Sequence, residues 1–206
     1  MGYVHIKRMK RDSLHQFEND IFQQAAGKAG LIIDVRENSG GFTTDHLLTM
    51  LTQPVHAYTV PRGGSVGYPQ NRKIYATWNK PVVIICNQNT VSNAEIFTHA
   101  IKNLGRGKII GVQTKGNVIS TSKVNVTGGS LRIPYRGWHI AKDGYDMELN
   151  GTLPDYIVNS EPSQIPSGID KPLDKAVQIL LSEIYENQNK STIKPIKASD
   201  RFHHNN

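Results

Sequence analysis

The residue of this chain that is best suited to chemistry is Ser92, which follows an apolar run and precedes a short amphipathic segment. The run from Pro81 to Cys86 predicts a buried strand, and the apolar positions between Ile96 and Leu104 predict a helix. The start of a helix presents free backbone N–H groups and the positive end of its dipole, which stabilise an oxyanion or an activated hydroxyl. Ser92 is therefore the first candidate for a nucleophile.

The same serine has a simpler explanation. The tetrapeptide Ser92-Asn93-Ala94-Glu95 fits a capping box, in which the serine and glutamate side chains satisfy N–H groups at the helix start. The turn Gly40-Gly41 adds a reason to consider catalysis, because it also follows a predicted strand and ligands of parallel sheets bind at the carboxyl ends of strands. The N–H groups of a glycine in this turn and of Asn93 are suited to binding an oxyanion together.

The elements around these loops repeat a strand, helix, strand pattern. Three apolar runs predict the buried strands: Leu31 to Val35, Pro81 to Cys86 and Lys108 to Val112. Helices are predicted before, between and after these strands, the first capped by Asp12 or Ser13 and the last introduced by Asp170 and Pro172. The repetition predicts an α/β fold with a mostly parallel sheet flanked by helices, and residues 118–140 are expected to form further strands.

Composition narrows the function classes. The chain has 206 residues and a formal charge of +7, with its densest basic cluster at residues 7–11. Because the other basic residues are scattered and no nucleic-acid motif is present, a solvated surface is favoured over nucleic-acid binding. No apolar run is long enough to cross a membrane. The single cysteine, Cys86, excludes an internal disulfide and is expected to be buried at a strand end.

Two segments are expected to lie outside the packed core. Pro61 to Asn71 is rich in glycine, proline and polar residues, which predicts an exposed loop that could border a substrate cleft. Residues 187–206 are polar and lysine-rich and predict a flexible tail after a core of residues 2–186. The adjacent His203 and His204 lack supporting carboxylates and do not predict a metal site. The sequence implies no cofactor.

Three ordered blocks resemble the catalytic core of the C-terminal processing (tail-specific) serine peptidases and their tricorn relatives. The blocks are GLIIDVRENSGG (30–41), NTVSNAEIF (89–97) and GRGKIIGVQT (105–114). The resemblance extends over roughly residues 2–184 and implies the ClpP/crotonase-like form of the α/β fold. It implies that Ser92 is the nucleophile, that the N–H groups of Gly41 and Asn93 form the oxyanion hole, and that Gly40 supports the turn.

The general base separates the two branches of this family. The processing peptidases use a lysine where this chain has Asn117, and Lys115, two residues earlier, is better explained as an ordinary loop residue. The tricorn branch uses serine and histidine with a glutamate, and residues 148–155 resemble its glutamate-bearing block. Glu148 is therefore expected to be the catalytic glutamate, with an exposed loop carboxylate as the alternative.

The resemblance implies that the histidine base lies upstream of the matched region, in a segment before a PDZ domain. His99 shares the helix face of Ser92, but seven helical residues span about 10 Å, beyond hydrogen-bond reach. His46 and His139 cannot be placed from the sequence. The expected mechanism is acyl transfer through Ser92, with the base supplied by the remainder of the polypeptide, so that the isolated chain is nearly inactive.

A different function on the same scaffold is a non-catalytic module that binds a ligand or peptide. The combination of Ser92, Gly40-Gly41 and Glu148 favours the enzyme, because a binding module has no need of all three. An esterase of the α/β-hydrolase type is excluded, since Ser92 lacks the Gly-x-Ser-x-Gly elbow. The expected partners are a peptide or unfolded protein substrate and the remainder of the polypeptide. The resemblance to tricorn favours a homo-oligomer in the cytoplasm, with a periplasmic or secreted protein as the alternative.

Overall fold

The computed structural model describes residues 1–63, 76–161, 165–190 and 195–196. The strands are β1 (Gly2–His5), β2 (Leu31–Asp34), β3 (Val82–Cys86), β4 (Lys108–Gly111), β5 (Ser120–Val126), β6 (Gly129–Arg136) and β7 (Tyr156–Ile157). The α-helices are α1 (Arg11–Gln23), α2 (Thr44–Leu51), α3 (Asn93–Asn103) and α4 (Lys171–Gln188). The predicted α/β fold is confirmed.

The main sheet is parallel and runs in the order β1-β2-β3-β4-β7, while β5 and β6 form a separate antiparallel hairpin. In the main sheet, successive side chains of each strand point to opposite faces. Ile33, Ile84 and Ile109 pack with α1, α2 and α3, whereas Ile32 and Val83 pack beneath α4. Both faces are buried, which is why the strands are continuous apolar runs. The crossover loops that follow the strands therefore gather at one edge of the sheet.

The helix boundaries follow the predictions with one difference. The first helix begins at Arg11 with Lys10 at its N-cap, so the expected cap by Asp12 or Ser13 is wrong. Asp12 lies in the first turn instead, where a negative charge interacts favourably with the helix dipole. The cap of the last helix is confirmed, because the carboxylate of Asp170 accepts a hydrogen bond from the Leu173 N–H at 3.1 Å.

Several predictions concern residues at the margins of the described structure. Residues 64–71 of the expected cleft loop, and 191–194 and 197–206 of the expected tail, lie outside the described residues, so both stay predictions.

Cys86 is buried as expected, and burial, with a contribution from Asp34, raises the pKa of its thiol to about 12. Among the described residues, no helix has the length and apolar character needed to cross a membrane.

Arg36, just after β2, joins the sheet to α4. Its guanidinium donates to Asp34 at 2.6 Å and to the two carboxylate oxygens of Asp170 at 2.9 and 2.8 Å. Burial acts to raise the pKa of Asp170, but hydrogen bonds from Arg36 and from the Leu173 N–H outweigh it, and the pKa is lowered. The ionised carboxylate of Asp170 thus helps to hold α4 on the sheet.

Asp170→Asn is expected to lower the free energy of unfolding by about 1.5 kcal/mol at neutral pH, because the amide loses charge-assisted hydrogen bonds to a partly solvated guanidinium. The folded-state pKa of Asp170 lies below the unfolded value of about 3.9. Its contribution is therefore complete above the unfolded pKa and is lost as the pH falls through the folded pKa. Urea unfolding should show the two proteins converging in acid.

The matched control is Asp174→Asn, which changes an exposed carboxylate in the first turn of the same helix. It should alter the free energy of unfolding by less than about 0.5 kcal/mol. Equal losses in the two variants, or a difference that does not depend on pH, would contradict the assignment to the Arg36 contacts.

Candidate active site

Ser92 lies in the loop after β3, immediately before α3, in a backbone conformation that few L-residues adopt. Its φ is 60° and its ψ is −124°. The Glu95 carboxylate accepts the Ser92 N–H at 3.0 Å, and the Ser92 carbonyl accepts the N–H groups of Glu95 and Ile96 at 2.8 and 3.1 Å. Such a conformation costs roughly 1–3 kcal/mol and is typical of functional sites. The chain holds a strained serine at a helix N-terminus.

The turn Gly40-Gly41 packs directly on this serine. A Cβ placed on Gly40, at φ +84°, would lie 2.7 Å from the Cβ of Ser92 and 3.1 Å from the Asn93 nitrogen. A Cβ on Gly41, at φ +151°, would lie 1.8 Å from the carbonyl oxygen of Met9. The turn can approach Ser92 this closely only because residue 40 is glycine, and it can approach the backbone of Met9 only because residue 41 is glycine.

Two backbone donors beside Ser92 are unused. Within the described part of the chain, neither the N–H of Gly41 nor that of Asn93 donates a hydrogen bond to another group. The neighbouring N–H of Gly40 differs, because it donates to the Asn38 side chain at 2.9 Å. Paired N–H donors next to a nucleophile are the groups that stabilise a tetrahedral oxyanion.

Asn38 fixes the glycine turn in place, a role that the sequence did not reveal. Its buried side-chain amide donates to the carbonyl of Ile6 at 2.7 Å, and its side-chain oxygen accepts the Gly40 N–H. Its own carbonyl accepts the Val91 N–H at 2.9 Å, one residue before Ser92. One asparagine therefore connects the residue after β1, the glycine turn and the serine loop.

Asn93 connects the starts of two helices. Its side-chain oxygen accepts the backbone N–H of Thr44, the first residue of α2, at 3.0 Å. The Thr44 hydroxyl donates back to the Asn93 carbonyl at 2.6 Å. The side chain of Asn93 is thus structural, and its backbone N–H remains the group available to a ligand.

Glu95 is a fully buried carboxylate with four hydrogen-bond donors. Besides the Ser92 N–H it accepts the Thr114 hydroxyl at 2.7 Å, the Gly116 N–H at 2.5 Å and the Asn117 N–H at 2.9 Å. One carboxylate oxygen serves both Ser92 and Asn117, so their nitrogens lie no more than about 6 Å apart. The capping-box contact expected of Glu95 is present, and the three additional partners hold residues 114–117 against the serine loop.

Glu148 holds the next residue of that segment. Its carboxylate accepts the Val118 N–H at 2.6 Å, and its own N–H donates to Asp146 at 2.9 Å. It is partly buried, so the alternative of an exposed loop carboxylate does not describe it. Since Glu95 binds the N–H of residue 117 and Glu148 that of residue 118, the structure brings Glu148 into the surroundings of Ser92 through a single short segment.

Comparison with known proteins decides the family. The profile of peptidase family S41 matches residues 1–158. The chain belongs to peptidase family S41. It is similar to tricorn protease homolog 1 of Streptomyces coelicolor, with 32% identity over 190 residues that cover 90% of this chain and 17% of the relative. It is also similar to the carboxyl-terminal-processing protease of Synechocystis sp., with 25% identity over 186 residues, covering 88% of this chain and 43% of the relative.

The structural comparison agrees with the assignment to family S41. The crystal structure of the tricorn protease matches with a TM-score of 0.77 and 30% identity over 89% of this chain and 18% of the tricorn chain. The S41 chain therefore spans less than a fifth of the length of these two tricorn relatives. The resemblance to both branches predicted from the sequence is confirmed, with the higher identity to the tricorn proteins.

Of the described histidines considered as a base, His99 and His139 contact other groups. His99 is buried and donates its Nε2 proton to the Asn150 carbonyl at 3.1 Å, and burial lowers the pKa of its imidazole. His139 contacts the Gly144 carbonyl at 3.2 Å, and His46 lies exposed on α2. In the residues that the structure describes, no histidine is hydrogen-bonded to Ser92, and Asn117 and Lys115 are exposed.

Proposed function

We propose that this chain is the nucleophile-bearing core of a serine endopeptidase that cleaves peptides or unfolded chains through an acyl-enzyme on Ser92. The observation that carries the proposal is a strained serine packed against a glycine turn, with the unused N–H donors of Gly41 and Asn93 beside it. Membership of family S41, whose relatives are named proteases, supports the same function.

The chemistry proceeds by acyl transfer. A general base takes the proton from the Ser92 hydroxyl while its oxygen attacks the carbonyl carbon of the peptide bond. The carbonyl oxygen becomes an oxyanion held by the N–H groups of Gly41 and Asn93. The intermediate then expels the amine, which takes the proton from the base, and leaves an ester on Ser92. Water hydrolyses the ester by the same sequence and restores the hydroxyl.

The base is assigned to a histidine from another segment of the same polypeptide. The support is the similarity to tricorn, whose branch is expected from the resemblance to use serine and histidine, together with the other partners found for His99 and His139. Glu148, which the family resemblance makes a catalytic residue, would orient the polar groups beside that histidine, as the third member of a triad does.

The serine geometry also bears on the alternative of a non-catalytic binding module. The positive φ at Ser92 reduces stability, and the N–H groups of Gly41 and Asn93 donate to no group of the described residues. A binding module can use the donors for a ligand, but backbone strain at a serine adds nothing to binding. A peptidase uses both, because the strain exposes a nucleophile and the donors stabilise charge that develops only in the transition state.

A serine-reactive phosphonate probe tests this proposal. In the full-length protein the probe should label Ser92, and in the 206-residue chain labelling should be at least about 100-fold slower because the base is missing. Ser92→Ala should abolish labelling, whereas Ser182→Ala, which changes an exposed serine of α4, should leave it unchanged. Mass spectrometry of the labelled peptide identifies the site.

Two results would overturn different parts of the proposal. Absence of Ser92 labelling in the full-length protein would remove the nucleophile and favour a binding module. Rapid peptide hydrolysis by the 206-residue chain alone, abolished by Ser92→Ala, would instead show that the base lies within this chain.

A further inference from the structure

The hairpin of β5 and β6 has two chemically different faces. In its register, Thr121 pairs with Pro134 and Lys123 with Arg132, and these pairs alternate with Val124 opposite Leu131. Because successive side chains of a strand point to opposite faces, one face is polar and cationic and the other is apolar. Almost all of both strands is exposed. The cationic face is therefore available to a ligand.

The cationic face contains an unfavourable pair of charges. Residues 118–140 include Lys123, Arg132 and Arg136 and no aspartate or glutamate. Lys123 stands directly opposite Arg132, and like charges in this position destabilise a hairpin. Arg132 donates to the Thr121 hydroxyl at 2.7 and 3.0 Å, and in the described residues neither cation of the pair has a carboxylate partner. An anion bound at this pair would relieve the repulsion.

The hairpin begins at the candidate active site. β5 starts three residues after Asn117, whose N–H shares one oxygen of Glu95 with the N–H of Ser92. At its base, Val118 and Trp138 pack with Ile96, one helical turn beyond Ser92. A substrate that reaches Ser92 therefore passes close to the start of the hairpin.

The number of residues between Asn117 and Lys123 limits the distance from the candidate active site to the pair Lys123 and Arg132. Lys123 lies six positions after Asn117, the last four of them in β5, and an extended chain rises about 3.3 Å per residue, so the two residues are at most about 20 Å apart. An extended substrate has nearly the same rise. Because Asn117 itself lies up to about 6 Å from Ser92, the substrate residue that meets Lys123 and Arg132 is no more than about eight positions from the scissile bond.

We propose that Lys123 and Arg132 form an accessory binding site for acidic side chains of the peptide substrate, within about eight residues of the bond cleaved at Ser92. This proposal rests on the peptidase function proposed above and names the substrate class that the site prefers. A peptide is favoured over a nucleic acid because the hairpin follows the segment that Glu95 holds against the serine loop, so a peptide bound at Ser92 lies near the start of the cationic face.

Binding of matched peptides to the Ser92→Ala chain tests the accessory site. Fluorescent peptides of equal length should carry two glutamates, two glutamines or two lysines at the same positions, within about eight residues of the peptide bond expected to lie at Ser92. One set should carry them on the amino side of that bond and a second set on its carboxyl side. Fluorescence anisotropy should show the glutamate peptide binding about tenfold more tightly than the glutamine peptide. The preference should decrease as salt is added.

Charge reversal at the pair provides the decisive comparison. The double variant Lys123→Glu/Arg132→Glu should lose the glutamate preference and favour the lysine peptide. The control Lys28→Glu/Lys108→Glu makes the same change in net charge at exposed residues near the amino ends of β2 and β4, and it should keep the preference. Circular dichroism spectra that match that of the unsubstituted chain establish that both variants are folded.

The outcomes that overturn the accessory site differ from those that overturn the peptidase function. Equal affinity for the three peptides, failure of all of them to bind, or equal losses in the two double variants would overturn it. Tighter binding of a single-stranded oligonucleotide that depends on Lys123 and Arg132 would also overturn it, in favour of a nucleic-acid surface. Phosphonate labelling of Ser92 in the unsubstituted full-length protein tests the peptidase function independently.

Discussion

Glu95→Gln is expected to lower the free energy of unfolding by about 3 kcal/mol. Four donors converge on this fully buried carboxylate, and an amide replaces one of its two acceptor oxygens with a group that donates. At least one N–H of the segment from Gly116 to Asn117 then faces another donor. For a chain of this size the loss should lower the melting temperature by roughly 6–12 °C, which thermal unfolding followed by circular dichroism measures.

Glu186→Gln is the matched control, since this glutamate lies exposed on α4. Its effect on the free energy of unfolding should stay within about 0.5 kcal/mol. A loss below about 1 kcal/mol for Glu95→Gln would mean that an amide satisfies the same donors and that the negative charge is not needed. The phosphonate labelling rate of Ser92 in full-length Glu95→Gln should also fall, because Glu95 fixes the backbone of the serine.

Gly40→Ala is expected to reduce the rate of Ser92 labelling in the full-length protein by at least about 100-fold. The new methyl group would lie 2.7 Å from the Cβ of Ser92, closer than two carbon atoms can approach, so the serine or the turn must move. Displacement of either one separates the hydroxyl from the N–H donors of Gly41 and Asn93. The rate of labelling by the phosphonate probe, determined for each folded variant, measures the loss.

The control for this substitution must reproduce the backbone penalty without the contact. Gly27→Ala does so, because Gly27 has φ +73° and a Cβ there would meet nothing within 4 Å, whereas Gly40 has φ +84°. Both variants should lose about 1 kcal/mol of stability from the left-handed conformation. Only Gly40→Ala should slow the labelling of Ser92. Equal labelling rates in the two variants would show that the turn does not constrain the nucleophile.

The parallel sheet could be predicted because its signals are local. The strands at residues 31–34, 82–86 and 108–111 are uninterrupted apolar runs that are buried on both faces. The edge strand β7 (Tyr156–Ile157) is not predicted from the sequence, since two residues give no periodic pattern. It is positioned by contacts that are distant in sequence: the Asp155 carboxylate accepts the Ile109 N–H at 2.8 Å, and the Val158 N–H donates to Gly111 at 2.8 Å.

The candidate site shows the same division between local and distant signals. The positions of Ser92 and of the Gly40-Gly41 turn at the carboxyl ends of strands follow from short sequence patterns. The wider role of Glu95 does not follow from such patterns. Its partners Thr114 and Asn117 come about twenty residues later in the chain, and no short sequence motif links them to Glu95. His99 was placed on the helix face of Ser92, yet its partner is the backbone of Asn150.

Asn38 has a consequence for the energetics of assembly. Its side chain and carbonyl bind groups at the end of β1, in the glycine turn and in the serine loop, so these segments are ordered by contacts within this chain. Ordering a loop costs about 1–2 kcal/mol of conformational entropy per residue. Folding of the chain already includes this loss of entropy. A substrate or a docking segment therefore binds to loops that are already ordered, and its binding energy has to offset only the loss of its own freedom of motion.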